Sequence, residues 1–421
     1  MTRDDALALD AADPLAPLRA QFTLPPGLVY LDGNSLGPCP AAAPARLRQV
    51  LEQEWAQGLI SSWNQAGWID LPRRVGDKIA RLVGAGAGEL VVADSTSVNL
   101  YKVLSAALGM AAAASPRRRV IVTERGNFPT DLYIAQSLAA EHGCELRLAG
   151  PPGEIAAALD EHSAVLLLTQ VDYRSGRLHD MAALSAAAQA AGALTVWDLA
   201  HSAGALPVAL HRDGADFAVG CGYKYLNGGP GAPAFVWVHP RHADQARQPL
   251  AGWLGHAAPF DFAPAYAPAP GIGRFVCGTP PILSLAALEC GVDTVLAAEP
   301  LGGLAALRAK SLALTRLFIE RAARLAPALA LATPLEEARR GAQVSLSHPE
   351  IGWPVMQALI ARGVVGDFRA GAPGQPDILR FGFAPLYTRF VDAWDAAAHL
   401  GQVLAHEEWR RPEFARRQAV T

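Results

Sequence analysis

Residues 193–231 read ALTVWDLAHSAGALPVALHRDGADFAVGCGYKYLNGGPG, and this stretch decides the fold class. It holds two short apolar runs, Ala193–Trp197 and Asp216–Gly220, each followed by a turn of small and polar residues. Continuously apolar, β-branched runs are typical of strands that are buried on both faces. Asp198 and Lys224 follow these runs, at the carboxyl ends of strands, where open α/β sheets bind ligands. We therefore predict an α/β fold with a ligand site at this sheet edge.

Further apolar runs on either side alternate with helical patterns, as expected of a mostly parallel sheet with covering helices. The other predicted strands of this sheet are Glu89–Ala93, Arg119–Thr123, Ala164–Thr169 and Ala234–Val238. The predicted helices are 98–108, Asp131–His142, Ala182–Ala191, Pro281–Leu296 and Leu304–Leu325. Strand candidates Gln343–Ser347 and Ile378–Phe383 favour a smaller α+β domain. We predict an N-terminal segment (1–55) packing with the small domain, a large domain (56–290) and a small domain (291–421).

Composition narrows the function classes. The 421 residues are 51% hydrophobic and 18% charged, which suits a folded chain with a large core. A net charge of −3 gives no basic footprint for nucleic acid. Five scattered cysteines without a C-x-x-C pair predict neither disulfides nor a metal site and favour the cytoplasm. The acidic, proline-containing N-terminus is unlike a signal peptide, and no uninterrupted apolar run predicts a membrane span.

Asp198 and Lys224 are the first candidates for chemistry. A carboxylate at a strand end can keep a pyridine nitrogen protonated, which makes a pyridine cofactor an electron sink. Asp198 would also serve as a plain helix cap. Lys224 lies among glycines after a buried strand, and partial burial of a lysine favours the neutral amine that forms Schiff bases. The alternative is a surface turn whose lysine points to water.

Two other strand ends add complementary groups. Thr96 and Ser97 lie where hydroxyls and free N–H groups at a helix N-terminus form a phosphate site, although ordinary capping fits as well. Phe128 follows the strand Arg119–Thr123 and can stack on a flat cofactor, with Asp131 starting the next helix. No phosphate-binding glycine–lysine loop or dinucleotide fingerprint follows a strand, which disfavours nucleotides. Together these groups predict pyridoxal 5'-phosphate (PLP).

At this point the chain resembles the kynureninases. The motifs are GNSLG, FPTD, D-x-A-H-S and GYKYLNGGPG, in this order, and the resemblance runs from about Leu28 to Tyr387. That family belongs to the aspartate aminotransferase-like, fold type I group of PLP enzymes, with a seven-stranded sheet in the large domain. The resemblance implies hydrolysis of L-kynurenine, and possibly 3-hydroxykynurenine, to the aminobenzoate and L-alanine in tryptophan catabolism. It also implies a homodimer whose active sites lie at the interface.

The resemblance further implies residue roles. Lys224 would bind PLP covalently and move the substrate α-proton, Asp198 would pair with the ring nitrogen, and Tyr223 would contact phosphate and carry a proton. The other implied cofactor contacts are Thr96, Ser97, Phe128, Thr130, Asp131, Thr169 and His201, with Trp253 and Thr279 reaching the neighbouring subunit's phosphate.

Arg380, in the apolar run ILRFGF, matches the arginine that binds the substrate α-carboxylate. A guanidinium in an apolar strand needs an anionic partner, and an internal ion pair is the alternative. Ser35 and Trp63 match positions that contact the aromatic end of the substrate, although Trp63 would also fit a core.

Three other classes compete with this interpretation. A cysteine-desulfurase-like lyase would be expected to have S-x-H-K before the glycines and a catalytic cysteine on a loop, and Cys277 and Cys290 lack such a setting. A PLP-binding regulator would need a DNA-binding module, which the sequence does not show. A scaffold protein gives no reason for a lysine buried among glycines.

Overall fold

The segment 193–231 contributes strands to a mixed seven-stranded sheet. The structure is a computed structural model that describes residues 1–371 and 375–418. The strand order of this sheet is β4-β10-β9-β8-β7-β5-β6, and β10 runs antiparallel to both neighbours while the others are parallel. The predicted α/β fold with a mostly parallel seven-stranded sheet is thereby confirmed. Within the described residues the strands are β1 Phe22–Thr23, β2 Val29–Tyr30, β3 Cys39–Pro40, β4 Leu90–Val92, β5 Val120–Glu124, β6 Glu145–Ala149, β7 Ser163–Thr169, β8 Leu194–Asp198, β9 Phe217–Gly220, β10 Phe235–Val238, β11 Ala330–Leu331, β12 Gln343–His348, β13 Val364–Val365, β14 Asp367–Arg369 and β15 Asp377–Gly382.

Helices cover both faces of this sheet. The α-helices of the described residues are α1 Arg3–Ala11, α2 Ala43–Gln49, α3 Ser62–Gln65, α4 Leu71–Val83, α5 Thr96–Ala114, α6 Pro129–His142, α7 Met181–Ala191, α8 Pro240–Ala243, α9 Ile282–Leu296, α10 Gly303–Leu325, α11 Gly352–Ala361, α12 Phe390–Ala405 and α13 Pro412–Ala415. One core joins α4, α7 and α9 to one sheet face, and a second joins α5 and α6 to the other. Every residue of β7 is buried, as expected of a strand between two helical layers.

Helix α5 is long and apolar enough to span a membrane by length and composition. It packs between the sheet and α6, and ten of its residues are buried, including Asn99 and Lys102. These two polar residues interrupt the apolar run in the sequence. The packing is that of a core helix.

A second, antiparallel sheet of order β11-β12-β15-β14 packs with α10, α11 and α12 around its own core. The N-terminal segment contacts both cores: Ala6 and Leu31 belong to the small one, whereas Leu15 and Leu18 belong to the large one. In addition, β2 pairs in parallel with β13. The domain boundary predicted at residue 290 lies inside α9, whose residues pack in the large core on both sides of that position. Because the apolar face of α9 continues to Leu296, the helix packs in the large core beyond residue 290 as well.

Candidate active site

Lys224 lies in the connection between β9 and β10, which are neighbours in the sheet. Because β10 runs antiparallel to β9, this connection returns at once to the adjacent strand. Its backbone is closed by bonds from Gly228 N to Gly222 O (2.9 Å) and from Asn227 N to Lys224 O (3.0 Å). A Cβ atom at Gly222 would lie 2.4 Å from the Pro233 carbonyl oxygen, so only glycine fits there. The lysine backbone is therefore held at the sheet edge.

The Lys224 amine lies between two aromatic rings, with Nζ 5.9 Å from the ring centre of Phe128 and 5.8 Å from that of Tyr223. The chain has four lysines. Three are ion-paired: Lys78 with Glu289, Lys102 with Asp94 and Lys310 with Asp13. Among residues 1–371 and 375–418, Lys224 has no carboxylate within 4.0 Å. Such an amine is available to a ligand.

A cavity of about 270 Å³ surrounds this amine. Ten of the predicted site residues line it, namely Thr96, Ser97, Phe128, Thr130, Asp131, Thr169, Asp198, His201, Tyr223 and Lys224. Tyr173, Ala200 and Cys221 complete the wall and were not predicted as site residues. The structure thus brings together side chains from five strand ends in one small space.

Two buried carboxyl groups face each other across this cavity. Asp198 ends β8 and accepts a hydrogen bond from Ala200 N (2.7 Å), while Asp131 accepts one from Thr169 Oγ1 (3.1 Å). Burial raises the pKa of both, and the charge of Asp198 raises that of Asp131 further. Lys224 acts in the opposite direction on both pKa values. A site that buries two acids beside one unpaired amine fits a cofactor with a protonated ring nitrogen.

Asn127 organises the turn before α6. Its Oδ1 accepts hydrogen bonds from Phe128 N (2.7 Å) and Thr169 Oγ1 (2.5 Å), and its Nδ2 donates to Thr123 Oγ1 (3.1 Å). These bonds fix Phe128 and Thr169 relative to each other. The quoted FPTD motif starts at Phe128, and no role was predicted for Asn127; a buried asparagine at a strand-to-helix turn is the signal that marks it.

The opposite end of the cavity is formed by the start of α5. Ser95 caps the helix and its Oγ accepts from Val98 N (3.3 Å), so Thr96 and Ser97 lie in the first turn. The first N–H groups of a helix have no partner within it and attract anions. Asp94, before the cap, has a left-handed backbone (φ 49°). This turn fits a phosphate group.

His201, Tyr223 and Cys221 complete the lining. The His201 ring lies 3.1 Å from the Asn34 carbonyl oxygen through Nε2, and no hydrogen bond joins it to Asp198 among the described residues. Burial lowers the pKa of His201 well below its usual value, so the ring is neutral and donates through Nε2. Burial also raises the pKa of the Tyr223 hydroxyl, which keeps its proton, and that of the Cys221 thiol, which stays unreactive.

Arg380 is 1% exposed and lies in β15 opposite Asp367 of β14. The guanidinium is ion-paired with Asp367, and it donates to Ser35 Oγ (2.8 Å) and to the Tyr173 carbonyl oxygen (2.8 Å). Its Nε is buried without a partner. Burial lowers the pKa of Arg380, and the charge of Asp367 raises it. The internal ion pair considered from the sequence is therefore present.

Five predicted residues do not line this cavity: Arg380 and Ser35, which bond to each other as described above, and Trp63, Trp253 and Thr279. Trp63 packs edge-on against Trp68 (6.0 Å between ring centres) in a small core with Ala286. Trp253 is 40% exposed and packs against Phe260, and Thr279 is exposed beside a second cavity that Tyr223 also lines. Within one chain, Trp63 contacts the core, and Trp253 and Thr279 face outward.

The chain is similar over its whole length to curated kynureninases. It is 55% identical to the one from Pseudomonas fluorescens and 56% identical to one from Burkholderia pseudomallei, with 100% of each chain covered. This chain belongs to the kynureninase family. A family model described as the kynureninase C-terminal domain also matches residues 307–400. The predictions of a PLP-dependent enzyme and of a hydrolase that acts on a carbon–carbon bond are confirmed at the level of the family.

Solved structures with the same fold include two cysteine desulfurases. The chain matches the apo enzyme from Thermococcus onnurineus NA1 with a TM-score of 0.79 and 20% identity, over 93% of this chain and 98% of that one. A desulfurase from Escherichia coli matches with a TM-score of 0.72 and 19% identity, over 93% and 98%. At this identity the likeness shows the fold alone. Neither Cys277 nor Cys290 lines the Lys224 cavity.

Proposed function

We propose that this chain hydrolyses the Cβ–Cγ bond of L-kynurenine to anthranilate and L-alanine, with Lys224 as the amine that binds PLP. One observation carries the assignment of the site: the unpaired Lys224 amine shares a small cavity with the buried carboxyl group of Asp198. The cofactor, when bound, provides the electron sink that stabilises negative charge beside the substrate α-carbon. All other steps fall to side chains of this chain.

Different parts of the cavity would bind the phosphate group and the pyridine ring of PLP. The phosphate would be held by Thr96, Ser97 and the first-turn N–H groups of α5. Phe128 would stack on the cofactor ring, and Asp198 would accept a hydrogen bond from its protonated nitrogen. That bond would offset the cost of burying the Asp198 carboxylate, whose pKa burial raises. The further predicted contacts are Thr130, Asp131, Thr169 and His201.

The substrate side uses Arg380 and Ser35. Arg380 binds the α-carboxylate, since its guanidinium matches carboxylate geometry. The Lys224 amine removes the α-proton and later returns it to the α-carbon of alanine. A water adds to the γ-carbonyl carbon, the Cβ–Cγ bond breaks, and the ring portion leaves as anthranilate. The Tyr223 hydroxyl gives its proton to Cβ and regains one from the added water. Ser35 contacts the aromatic end, and Trp63 retains that role only as an expectation, because it packs in a core.

We further propose a cytoplasmic homodimer whose active sites lie at the interface. Trp253 and Thr279 are predicted phosphate contacts that lie outside their own chain's cavity, so a second copy would supply them. Large exposed apolar side chains near Trp253, namely Phe260 and Phe262, favour an interface there. All five cysteines are free, which suits a reducing compartment. The division into a segment, a large domain and a small domain remains part of this proposal.

The test compares the wild-type chain, Lys224→Ala and the control Lys78→Ala, each purified with PLP. L-Kynurenine and its 3-hydroxy analogue are supplied separately, and the matching aminobenzoate is followed by fluorescence. We expect turnover in the wild type and the control and none in Lys224→Ala. Borohydride reduction followed by peptide mapping should label Lys224 among the four lysines. Activity in Lys224→Ala, or sulfide release from cysteine in place of aminobenzoate formation, would refute the proposal.

A further inference from the structure

The loop 170–176 follows β7 directly and reaches from the large sheet to the small one. Gln170 N donates to the Asp198 carbonyl oxygen (2.9 Å), which anchors the start of the loop beside the site. Asp172 then closes a tight turn: its Oδ1 accepts from Ser175 N (2.6 Å) and Ser175 Oγ (2.5 Å), and its carbonyl oxygen accepts from Gly176 N (2.9 Å). Tyr173 lies in this turn.

The backbone of the turn is bound to the small sheet. The Tyr173 carbonyl oxygen accepts hydrogen bonds from Arg380 Nη1 (2.8 Å) and from Gln343 Nε2 (3.1 Å). The guanidinium of Arg174 donates to the carbonyl oxygens of Ala370 and Pro376, both at 2.8 Å. Two of these four bonds come from residues of the smaller sheet, and two go to residues that flank its strands. One comes from the arginine that binds the substrate carboxylate under the proposed function.

The Tyr173 side chain points the other way, into the cavity. Its ring meets Phe128 edge-on, with 5.2 Å between ring centres and an angle of 87° between the planes. Phe128 is 37% exposed in the chain, and among the described residues Tyr173 is its one aromatic ring neighbour. Edge-to-face contacts of this kind fix the orientation of both rings.

We propose that Tyr173 is a positioning residue that sets the Phe128 ring for stacking on PLP and couples it to Arg380. The inference rests on the proposed function, because Phe128 and Arg380 act there on cofactor and substrate. Tyr173 itself acts through Phe128. The group that matters is the aromatic ring and not the hydroxyl, since the Tyr173 contacts that the structure gives are made by the ring and by the backbone carbonyl.

A double-mutant cycle on PLP binding tests this role. The variants are Tyr173→Leu, Phe128→Leu, the double variant and the control Tyr173→Phe, with Tyr173→Met as a second variant that lacks the ring. Apo chains are titrated with PLP, the dissociation constant is read from the visible absorbance, and the melting temperature of each apo chain is measured. An edge-to-face contact corresponds to about a three- to ten-fold change in the dissociation constant.

We expect Tyr173→Leu and Tyr173→Met to weaken PLP binding by this factor at an unchanged melting temperature, and Tyr173→Phe to bind like the wild type. The double variant should bind no more weakly than Phe128→Leu, because Tyr173 acts through that ring. Additive effects in the double variant, or weakened binding by Tyr173→Phe, overturn this inference alone. A wild-type chain that takes up no PLP overturns the proposed function as well, so the two failures are distinguishable.

Discussion

Replacing Lys102 with methionine is expected to destabilise the chain and to weaken its hold on PLP. The Lys102 ammonium is completely buried under the turn that forms the predicted phosphate site. It is ion-paired with Asp94, donates to the Phe275 carbonyl oxygen (2.6 Å) and contacts Asn99 Oδ1 (3.2 Å). Methionine has a similar length but no charge and no donor. The substitution therefore removes three polar contacts and adds no clash.

The size of the effect follows from what each partner loses. Two buried acceptors, on Phe275 and Asn99, are left without this donor, at roughly 1–3 kcal/mol each. Loss of a buried ion-pair partner costs about 3–5 kcal/mol, but the Asp94 side chain is 31% exposed and water can solvate it, which lowers that figure. We expect a loss of about 3 kcal/mol in the free energy of unfolding. Because the pair fixes the residue before the Ser95 cap, PLP affinity should fall several-fold.

Urea unfolding of the apo chains, followed by circular dichroism, measures the first quantity, and PLP titration measures the second. The matched control is Lys78→Met, which removes a partly exposed lysine paired with Glu289 and Asp293. Glu289 keeps Arg74 as a partner and Asp293 is half-exposed, so this substitution should cost about 1 kcal/mol. If Lys102→Met unfolds within 1 kcal/mol of the control and binds PLP like the wild type, then this pair does not support the phosphate turn.

Three further outcomes are expected. Arg380→Lys should raise the KM for L-kynurenine by about ten-fold or more, because an ammonium lacks the two-pronged guanidinium geometry; an unchanged KM in steady-state assays would contradict the role. Burial, and then the charge of Asp367, raise the pKa of Asp32 to about 7, so the folded chain binds more protons than the unfolded chain between about pH 4 and 7. Stability should therefore fall as pH rises through that window, by at most about 1.4 kcal/mol per pH unit, and Asp32→Asn should flatten the curve measured by urea unfolding. Thr279→Ala and Lys224→Ala are each expected to lower activity. When the two variant chains are unfolded and refolded together, activity should recover, because a mixed dimer has one site with both Lys224 and the partner's Thr279. Activity no higher than that of either variant alone would contradict a role of Thr279 in the neighbouring subunit.

The sequence predicted the central strands well because burial on both faces leaves an unbroken apolar run. β7, β8 and β9 each lie within two residues of the predicted bounds. β6 was missed, since Glu145 and Arg147 interrupt its pattern and its residues are half-exposed at the sheet edge. Periodicity detects strands inside a sheet better than strands at its rim.

The site was predicted where its residues lie at strand ends and missed where a loop or another domain supplies the contact. Asp198 and Lys224 follow apolar runs, so sheet topology alone brings them together. Tyr173 belongs to a turn with no periodic pattern, and its ring contact depends on where that turn is anchored. The partner of Arg380 was open as well, because the pairing of Asp367 with it arises from strand register. Residue types could be read from the sequence, but the pairs that come into contact depend on strand register, which the sequence pattern does not specify.

The hydrogen bond between Ser35 and Arg380 joins positions 345 residues apart. During synthesis the strand connection that carries Lys224 can pack against the large sheet while Arg380, the proposed carboxylate-binding residue, is still within the ribosome. Under the proposed function, the site for the substrate carboxylate is therefore completed last, when the C-terminal strands pack against the N-terminal segment. A nascent or truncated chain ending before β14 is expected to acquire the cofactor pocket and yet lack the means to hold an amino acid.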